Sequence, residues 1–335
     1  MKTTLLFLSV FLCANLFGQN VYIPDANFKN YLVNTIINTN GDSEIQVSEA
    51  SAHSGGLYCS ELNITDLTGI EAFTALLVLD CGSNQLTSLD LSNNTSLEVL
   101  NCRLNFQLTS LDVSNNTALT ELDCADNELT SLDVSNNTAL TELKCSGNQL
   151  TSLDVSNNPT LELLYCNSTQ LTSLDVSNNP TLDVLECGAT ELASLDVSSC
   201  TALTVLNCRF NPQLTSLDLS NNTALTQLVC YDNEQLQCLN IKNGNNYNLS
   251  VDISDNPSLG CIEVDNALYS SNTWDIDSWA LFSEDCNNDC SNTSSLTELF
   301  TSKNLIKIVD MMGRETTFKP NTPLIYVYDD GSIEK

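Results

Sequence analysis

Nine cysteines, Cys59, Cys81, Cys102, Cys124, Cys145, Cys166, Cys187, Cys208 and Cys230, recur at intervals of 21 or 22 residues, each two residues after a Leu. One turn of chain that long cannot bury its own apolar face. Stacked turns can, because they set Leu on Leu and Cys on Cys in continuous ladders and leave only the two ends to be capped. The period therefore predicts one right-handed solenoid over residues 57–264, with the x-Leu-x-Cys-x segments forming a parallel sheet. At a strand spacing of about 4.8 Å, nine or ten coils make a rod roughly 40–50 Å long. Each coil buries on the order of five Leu, Val or Cys side chains, at about 1.5–3 kcal/mol for each large one, so stability comes from neighbours.

A full unit reads LTELDCADNELTSLDVSNNTA, in which Leu119, Leu122, Cys124, Asn127 and Leu129 fill the pattern L-x-x-L-x-L-x-x-N/C-x-L with Cys in the third apolar place. In this the chain resembles the leucine-rich repeat family. The resemblance implies a solenoid of the α/β repeat class, mostly β, whose parallel sheet lines a concave face that commonly serves recognition. Neither half of the unit has a helical period, so the convex side is expected to be loops or short extended segments.

The two halves of the unit differ when repeats are compared. The LTSLDVSNN half is nearly constant, with an Asp column at Asp90, Asp112, Asp133, Asp154, Asp175, Asp196 and Asp218. That suits a structural wall whose Ser, Asn and Asp side chains bond the turning backbone from coil to coil. Like charges about 4.8 Å apart repel by about 1 kcal/mol in water, so either Ser, Thr and Asn donors satisfy the column or cations gather on it. The x-Leu-x-Cys-x half varies at its outward places. Either these places are unconstrained solvated positions, or they recognise a partner. On the second reading the candidate residues are Glu121, Asp123, Glu142, Lys144, Tyr165, Glu186, Asn207, Arg209 and Tyr231, in which aromatic and Arg side chains interrupt an acidic strip.

A charge of -31, from 42 Asp+Glu against 11 Lys+Arg, excludes nucleic acid and anionic lipid as natural partners. The apolar run from Leu5 to Phe17 after Lys2 is too short to span a membrane and reads as a signal peptide over residues 1–19. Fifteen cysteines in an exported chain first suggest a disulfide framework. Ladder cysteines, however, point in parallel into a core rather than at one another, so they read as small buried hydrophobes. Cys200 stands where other wall segments carry Asn. Cys238, Cys261, Cys286 and Cys290 lie off the ladder, where the stack needs closing. They allow three full connectivities, with Cys261 to Cys286 preferred because it joins the last coil to its cover.

Residues 20–56 read as a helical cap, with Asp25 as N-cap and Phe28, Tyr31 or Leu32, and Thr35 or Ile36 at helical spacing. The cap runs into a loop aligned with the calcium pattern of EF-hands. Asn38, Asn40 and Asp42 fall at positions 1, 3 and 5, Glu44 at 7 through its carbonyl, Gln46 at 9 and Glu49 at 12. Asn at position 1 and Ser43 in place of the turn glycine depart from that pattern. The segment is a weak calcium site or a polar turn between helices. The following ITDLTGIEAFTALLVLDC resembles the opening repeat of internalin-like bacterial surface proteins.

At the other end, residues 265–290 with Trp274, Trp279 and Phe282 are expected to cover the open core. Residues 291–301 form a polar linker. Residues 302–335 alternate strands and turns. In Ile308-Val309-Asp310, Met312-Gly313-Arg314-Glu315 and Asp329-Asp330-Gly331 they resemble the C-terminal sorting domain of the type IX secretion system of Bacteroidetes. The resemblance implies export across the outer membrane, although the chain stops short of the basic, apolar end such a domain carries. A small β-module of other purpose is the alternative.

No nucleophile motif accompanies the single histidine, His53, and carboxylate pairs carry little information in so acidic a chain. The sequence thus reads as a monomeric, non-enzymatic, secreted or cell-surface protein. It would bind protein or glycan, or mediate adhesion, through its concave face. A structural spacer without a specific ligand is the alternative.

Overall fold

A computed structural model of the 335-residue chain describes residues 18–286, Cys290 and three strands between residues 305 and 334. The segment read as a signal peptide lies almost wholly outside the described residues. The chain divides into two units, residues 1–291 and 292–335.

Three-residue strands recur through the first unit, one per coil: β1 (Gly56–Tyr58), β2 (Val78–Asp80), β3 (Val99–Asn101), β4 (Glu121–Asp123), β5 (Glu142–Lys144), β6 (Leu163–Tyr165), β7 (Val184–Glu186) and β8 (Val205–Asn207). From there strands alternate between the two sides of the coil through β9 (Ser216–Asp218), β10 (Gln227–Val229), β11 (Cys238–Asn240), β12 (Ser250–Asp252) and β13 (Cys261–Glu263), and β14 (Leu281–Ser283) pairs with β13 on the same side. β1 to β8, then β10 and β12, form one ten-stranded sheet. Every pair in it is parallel and in register, so Leu100 faces Leu79 on one side and Leu122 on the other. This is the expected leucine-rich repeat solenoid. The other side of the coil is irregular until residue 216, where β9, β11, β13 and β14 build a second parallel sheet over the same core.

The alternation of each strand sorts its residues. The central Leu points inward, and the Cys just beyond it is fully buried in all nine coils. These thiols are free, as is Cys200. Burial pushes Cys59, Cys145 and Cys187 up to about 12, so they remain protonated and inert at neutral pH.

Two asparagine ladders close the coils. On the strand side, Asn127 Nδ2 donates to Cys124 O at 2.8 Å and, in the coil before, to Cys102 O at 3.2 Å, while its Oδ1 accepts from Asn105 N at 3.0 Å. On the wall side, Asn137 Nδ2 donates to Val113 O at 3.0 Å and Asn116 O at 2.9 Å, both in the preceding coil, but its buried Oδ1 has no protein partner. Of the Ser, Asn and Asp side chains expected to bond from coil to coil, these asparagines do so and the Asp column does not. Each Asp bonds locally instead, as Asp133 Oδ1 does in accepting from Ser135 N at 2.9 Å. The Ser135 bonds hold the Asp133 carboxyl below its ordinary range.

Every coil turns just after its strand through the left-handed region. Ser83, Leu104, Asp126, Ser168, Ala189, Phe210 and Asp232 adopt φ between 53° and 57° there, and Gly147 occupies the same place at 65°.

At the N-terminal end, α1 (Ala26–Val33) is capped by Asp25, whose Oδ1 accepts from the amides of Asn27 and Phe28 at 2.9 Å each. Its Oδ2 accepts from Thr65 N and Oγ1, tying the cap to the first coil. Phe28 and Leu32 are buried, but the helix stops at Val33, so Ile36 is 88% exposed and Ile37 takes the inward place. At the C-terminal end α2 (Ala267–Thr273) precedes β14, and Trp274 and Phe282 pack edge to face at 5.7 Å over the core. Trp279 does not join them: its ring is 53% exposed and its Nε1 donates to Asn256 O. Two disulfides join Cys238 to Cys290 and Cys261 to Cys286. In the second unit, β15 (Leu305–Asp310), β16 (Leu324–Tyr328) and β17 (Ile333–Glu334) form an antiparallel sheet.

Candidate functional site

Because successive strand residues point to opposite faces, the two residues flanking each inward Leu are presented outward. Across ten strands they form parallel columns, half-buried by neighbours about 4.8 Å away. Glu121, Asp123, Glu142, Lys144, Tyr165, Glu186 and Asn207 all lie in these columns. Arg209 and Tyr231 follow directly after the buried cysteines of their coils.

The face has three local arrangements. Near the start of the sheet is a concavity of about 240 Å³ with Val78 and Val99 in its lining and Tyr58, Asp123, Glu142 and Lys144 around it. Lys144 Nζ pairs with Glu142 Oε2 at 2.8 Å along the same strand. Burial opposes the charge on Lys144, but its bond to Glu142 and the nearby charges of Glu142, Asp123 and Tyr165 together outweigh this and hold the ammonium above its ordinary value. Asp123 accepts from Ala125 N at 3.1 Å and is pushed up by burial, which outweighs that bond and the nearby cations Lys144 and Arg103.

In the middle, Tyr165 stands between Lys144 and Glu186 in register. Burial, then Glu186, raises its phenol. Glu186 Oε2 accepts from Asn167 Nδ2 at 2.7 Å, and Asn167 Oδ1 accepts from Gly188 N, which fixes this row.

Toward the far end, Arg209 NH1 donates to Tyr231 OH at 3.0 Å while its guanidinium lies 5.7 Å from the Tyr231 ring centre. Phe210 packs edge to face on the same ring at 5.2 Å. The structure thus brings Glu142 to Lys144 and Arg209 to Tyr231, and leaves these two groups several coils apart.

Sequence reasoning missed Tyr58, and it read Val78 and Val99 as outward places without naming them as candidates, because they lay outside the mid-rod strip. It also missed Phe106 and Phe210, exposed at 64% and 44%. Phe106 lies in the one-residue extension that makes its coil 22 residues long, and that irregular spacing was its only signal.

In the N-terminal loop Asn40, Asp42 and Gln46 converge. Asn40 Nδ2 donates to Asp42 Oδ2 at 2.9 Å and Gln46 Oε1 at 2.7 Å, and Gln46 Nε2 donates to Asp42 Oδ2 at 3.0 Å. Glu49 Oε1 accepts from Thr39 N, Thr39 Oγ1 and Asn40 N, while its Oε2 accepts from Gln46 N. Asn38 bonds Val33 O and Asp42 O, and the Glu44 carboxylate turns to Lys29 at 2.7 Å. The residues aligned with calcium positions 3, 5 and 9 therefore meet, and N–H donors satisfy their oxygens. Among the described residues no group of three or more His, Cys, Asp and Glu is placed to hold a metal, and no helix is long and apolar enough to cross a membrane.

No model of a known protein family matches the chain, and no curated protein does. Solved structures do. The functional domain of InlJ from Listeria monocytogenes, which includes a cysteine ladder, is 22% identical with a TM-score of 0.49, over 93% of this chain and 96% of that one. The internalin InlF from Listeria monocytogenes is 18% identical with a TM-score of 0.42, over 80% and 99%. The plant peptide hormone receptor RGFR1, in complex with RGF2, is 19% identical with a TM-score of 0.47, over 63% and 38%. The in-register parallel strands and the buried ladders define the fold by themselves: the chain is a leucine-rich repeat solenoid, and its structural neighbours include internalin-type proteins.

Proposed function

We propose that this is a non-enzymatic recognition protein, secreted or held at a cell surface, that binds a partner protein through the outward face of its ten-stranded sheet. One observation carries the reading. The two sides of every coil share a core, yet the wall repeats Asp and Ser in a local bonding pattern while the sheet face changes residue from coil to coil. Arg and Tyr, the side chains most often found at energetic centres of interfaces, sit on the changing side. Export through the type IX machinery, with residues 302–335 as sorting domain, belongs to the same proposal. So does a calcium-steadied N-terminal loop.

The test is capture of partners from host or community surface extracts, followed by affinity measurement. Tyr165→Ala with Tyr231→Ala should weaken the captured partner by more than about 1 kcal/mol, and Asp154→Asn should change little. The opposite pattern would place the functional face on the wall. No captured partner at all would favour a spacer.

A further inference from the structure

Between residues 18 and 286 the chain carries five cations, Lys29, Arg103, Lys144, Arg209 and Lys242. Among the described residues the three lysines are ion-paired, with Glu44, Glu142 and Glu263, and neither arginine is. In so acidic a molecule two exposed, unpaired guanidiniums are conspicuous. Their surroundings are more so.

Residues 99–120 and 205–226 are nearly the same coil used twice. Over 22 positions they differ only at Leu104/Phe210, Phe106/Pro212 and Val113/Leu219. The arginines are seated alike. Arg103 N donates to Asn101 Oδ1 at 3.2 Å and Arg209 N to Asn207 Oδ1 at 3.4 Å. Each stem lies over a glycine of the coil before: a Cβ added to Gly82 would meet Arg103 Cγ at 3.4 Å, and one added to Gly188 would meet Arg209 Cγ at 3.0 Å. Each coil also exposes a phenylalanine, Phe106 or Phe210. β3 and β8 are five strand steps apart in the sheet, or about 24 Å. The coils between them place Ala125, Ser146, Asn167 and Gly188, none of them charged, in the arginine column, with Asp123 and Glu186 bordering it in the next column.

We propose that the two coils are one anion-recognising unit used twice, and that together they hold an extended, carboxylate-bearing segment of a partner protein. The inference rests on the protein-binding reading above and names the partner's chemistry. Guanidinium binds carboxylate through paired hydrogen bonds, and the neighbouring phenylalanines give apolar side chains of the same segment a surface to cover. An extended chain advances about 3.3–3.6 Å per residue, so about seven residues bridge the two arginines. Arg209, already held against Tyr231, is the stiffer of the two seats.

The full chain is titrated with labelled oligo-L-glutamates of increasing length at 0.15 M salt, where the Debye length of about 8 Å screens the distant Asp wall but not direct contacts. Affinity should change little for short peptides and rise about tenfold or more once a peptide reaches roughly eight residues and touches both seats. Arg103→Ala and Arg209→Ala should each abolish that step without lowering the melting temperature, and the Lys variants should keep part of it. A smooth dependence on length, or a step that survives both alanine variants, overturns the proposal. A step seen with oligogalacturonates but not with oligoglutamates overturns the polypeptide assignment. With a captured protein partner, loss of binding in Tyr165→Ala but not in the double arginine variant overturns this inference and leaves the sheet face as the binding surface. Loss in neither overturns both.

Discussion

Most coils use one short pattern twice, Leu-x-x-Leu-x-Cys-x-x-Asn on the sheet side, with Thr169 and Thr190 for the Asn in two coils, and Leu-x-x-Leu-x-Val/Leu-x-x-Asn on the wall side, with Cys200 for one Asn, and the two halves behave differently. On the sheet side strand pairing and a fully bonded Asn127 hold the coil, so the outward residues vary from coil to coil even though some of them, Asn101, Asp123 and Asn207, also accept from the turn amides. On the wall side there is no strand pairing before residue 216, and Asn137 only donates. There the turn needs its outward Asp and Ser as well. Freedom to vary follows from where the backbone bonds are made.

The largest expected effect sets the two asparagines against each other. Asn127→Ala leaves the buried Asn105 N without its partner and takes one of two donors from each of Cys102 O and Cys124 O, which keep Asn105 Nδ2 and Asn148 Nδ2, and should cost about 2–4 kcal/mol. Asn137→Ala removes two bonds but also deletes an unpartnered buried oxygen, and should cost about 1–2 kcal/mol. Urea unfolding of both variants decides it, and equal losses would break the comparison. Next, Gly147→Ala should destabilise by about 1–2 kcal/mol, because φ is 65° there and a Cβ would run into Asp126 Oδ1. Ser168→Gly, one coil on at φ 54°, should gain up to about 1 kcal/mol in the same assay.

A smaller effect separates the halves by acid. Bonds from Ser hold Asp90, Asp112, Asp133, Asp154 and Asp175 below the ordinary carboxylate value. Their contribution is full above the unfolded value of about 3.9 and is lost as pH falls through the lower folded values. On the sheet face Asp123 is shifted the opposite way, so its protonation relieves strain as pH falls. Melting temperature should therefore be nearly flat between about pH 5 and 8 and fall below about pH 4, with a separate fall above about pH 8.5 as the unfolded thiols ionise and the buried ones do not, and Asp112→Asn with Asp133→Asn should flatten the acid fall. An unchanged slope would remove the wall from the acid response. Smallest of all, millimolar calcium should raise the melting temperature slightly in the wild type and not in Glu49→Gln. Superimposable curves would leave the Asn38–Glu49 segment as a hydrogen-bonded turn.

The solenoid and its sheet were legible because one period specifies both the strand and the face: Leu122 and Cys124 repeat with their neighbours in every coil. The wall was harder. Asn136 and Asn137 are adjacent and identical in letter, and only burial separates the exposed one from the ladder. The second sheet was hidden because Leu111 and Leu217 sit in almost the same words. Only the latter is followed by coils where the LTSLD phrase lapses, at Cys238 and Cys261. The outward columns followed from alternation, while the pairing of Lys144 with Glu142 within one strand is seen only in the structure. Phe210 did not, because it lies in the left-handed turn beyond the strand columns.

The two disulfides give the rod a mechanical polarity. They close chain segments 52 and 25 residues apart in sequence, so the last coils and their cover are tied across the stack by covalent bonds. The cap at the other end is tied to the first coil by hydrogen bonds, those of Asp25 to Thr65 among them. Among the described residues a pull along the rod meets no disulfide there. Under load the molecule should peel coil by coil from residue 20 onward, like a zip with one end sewn shut, and should re-form from the end that never opened.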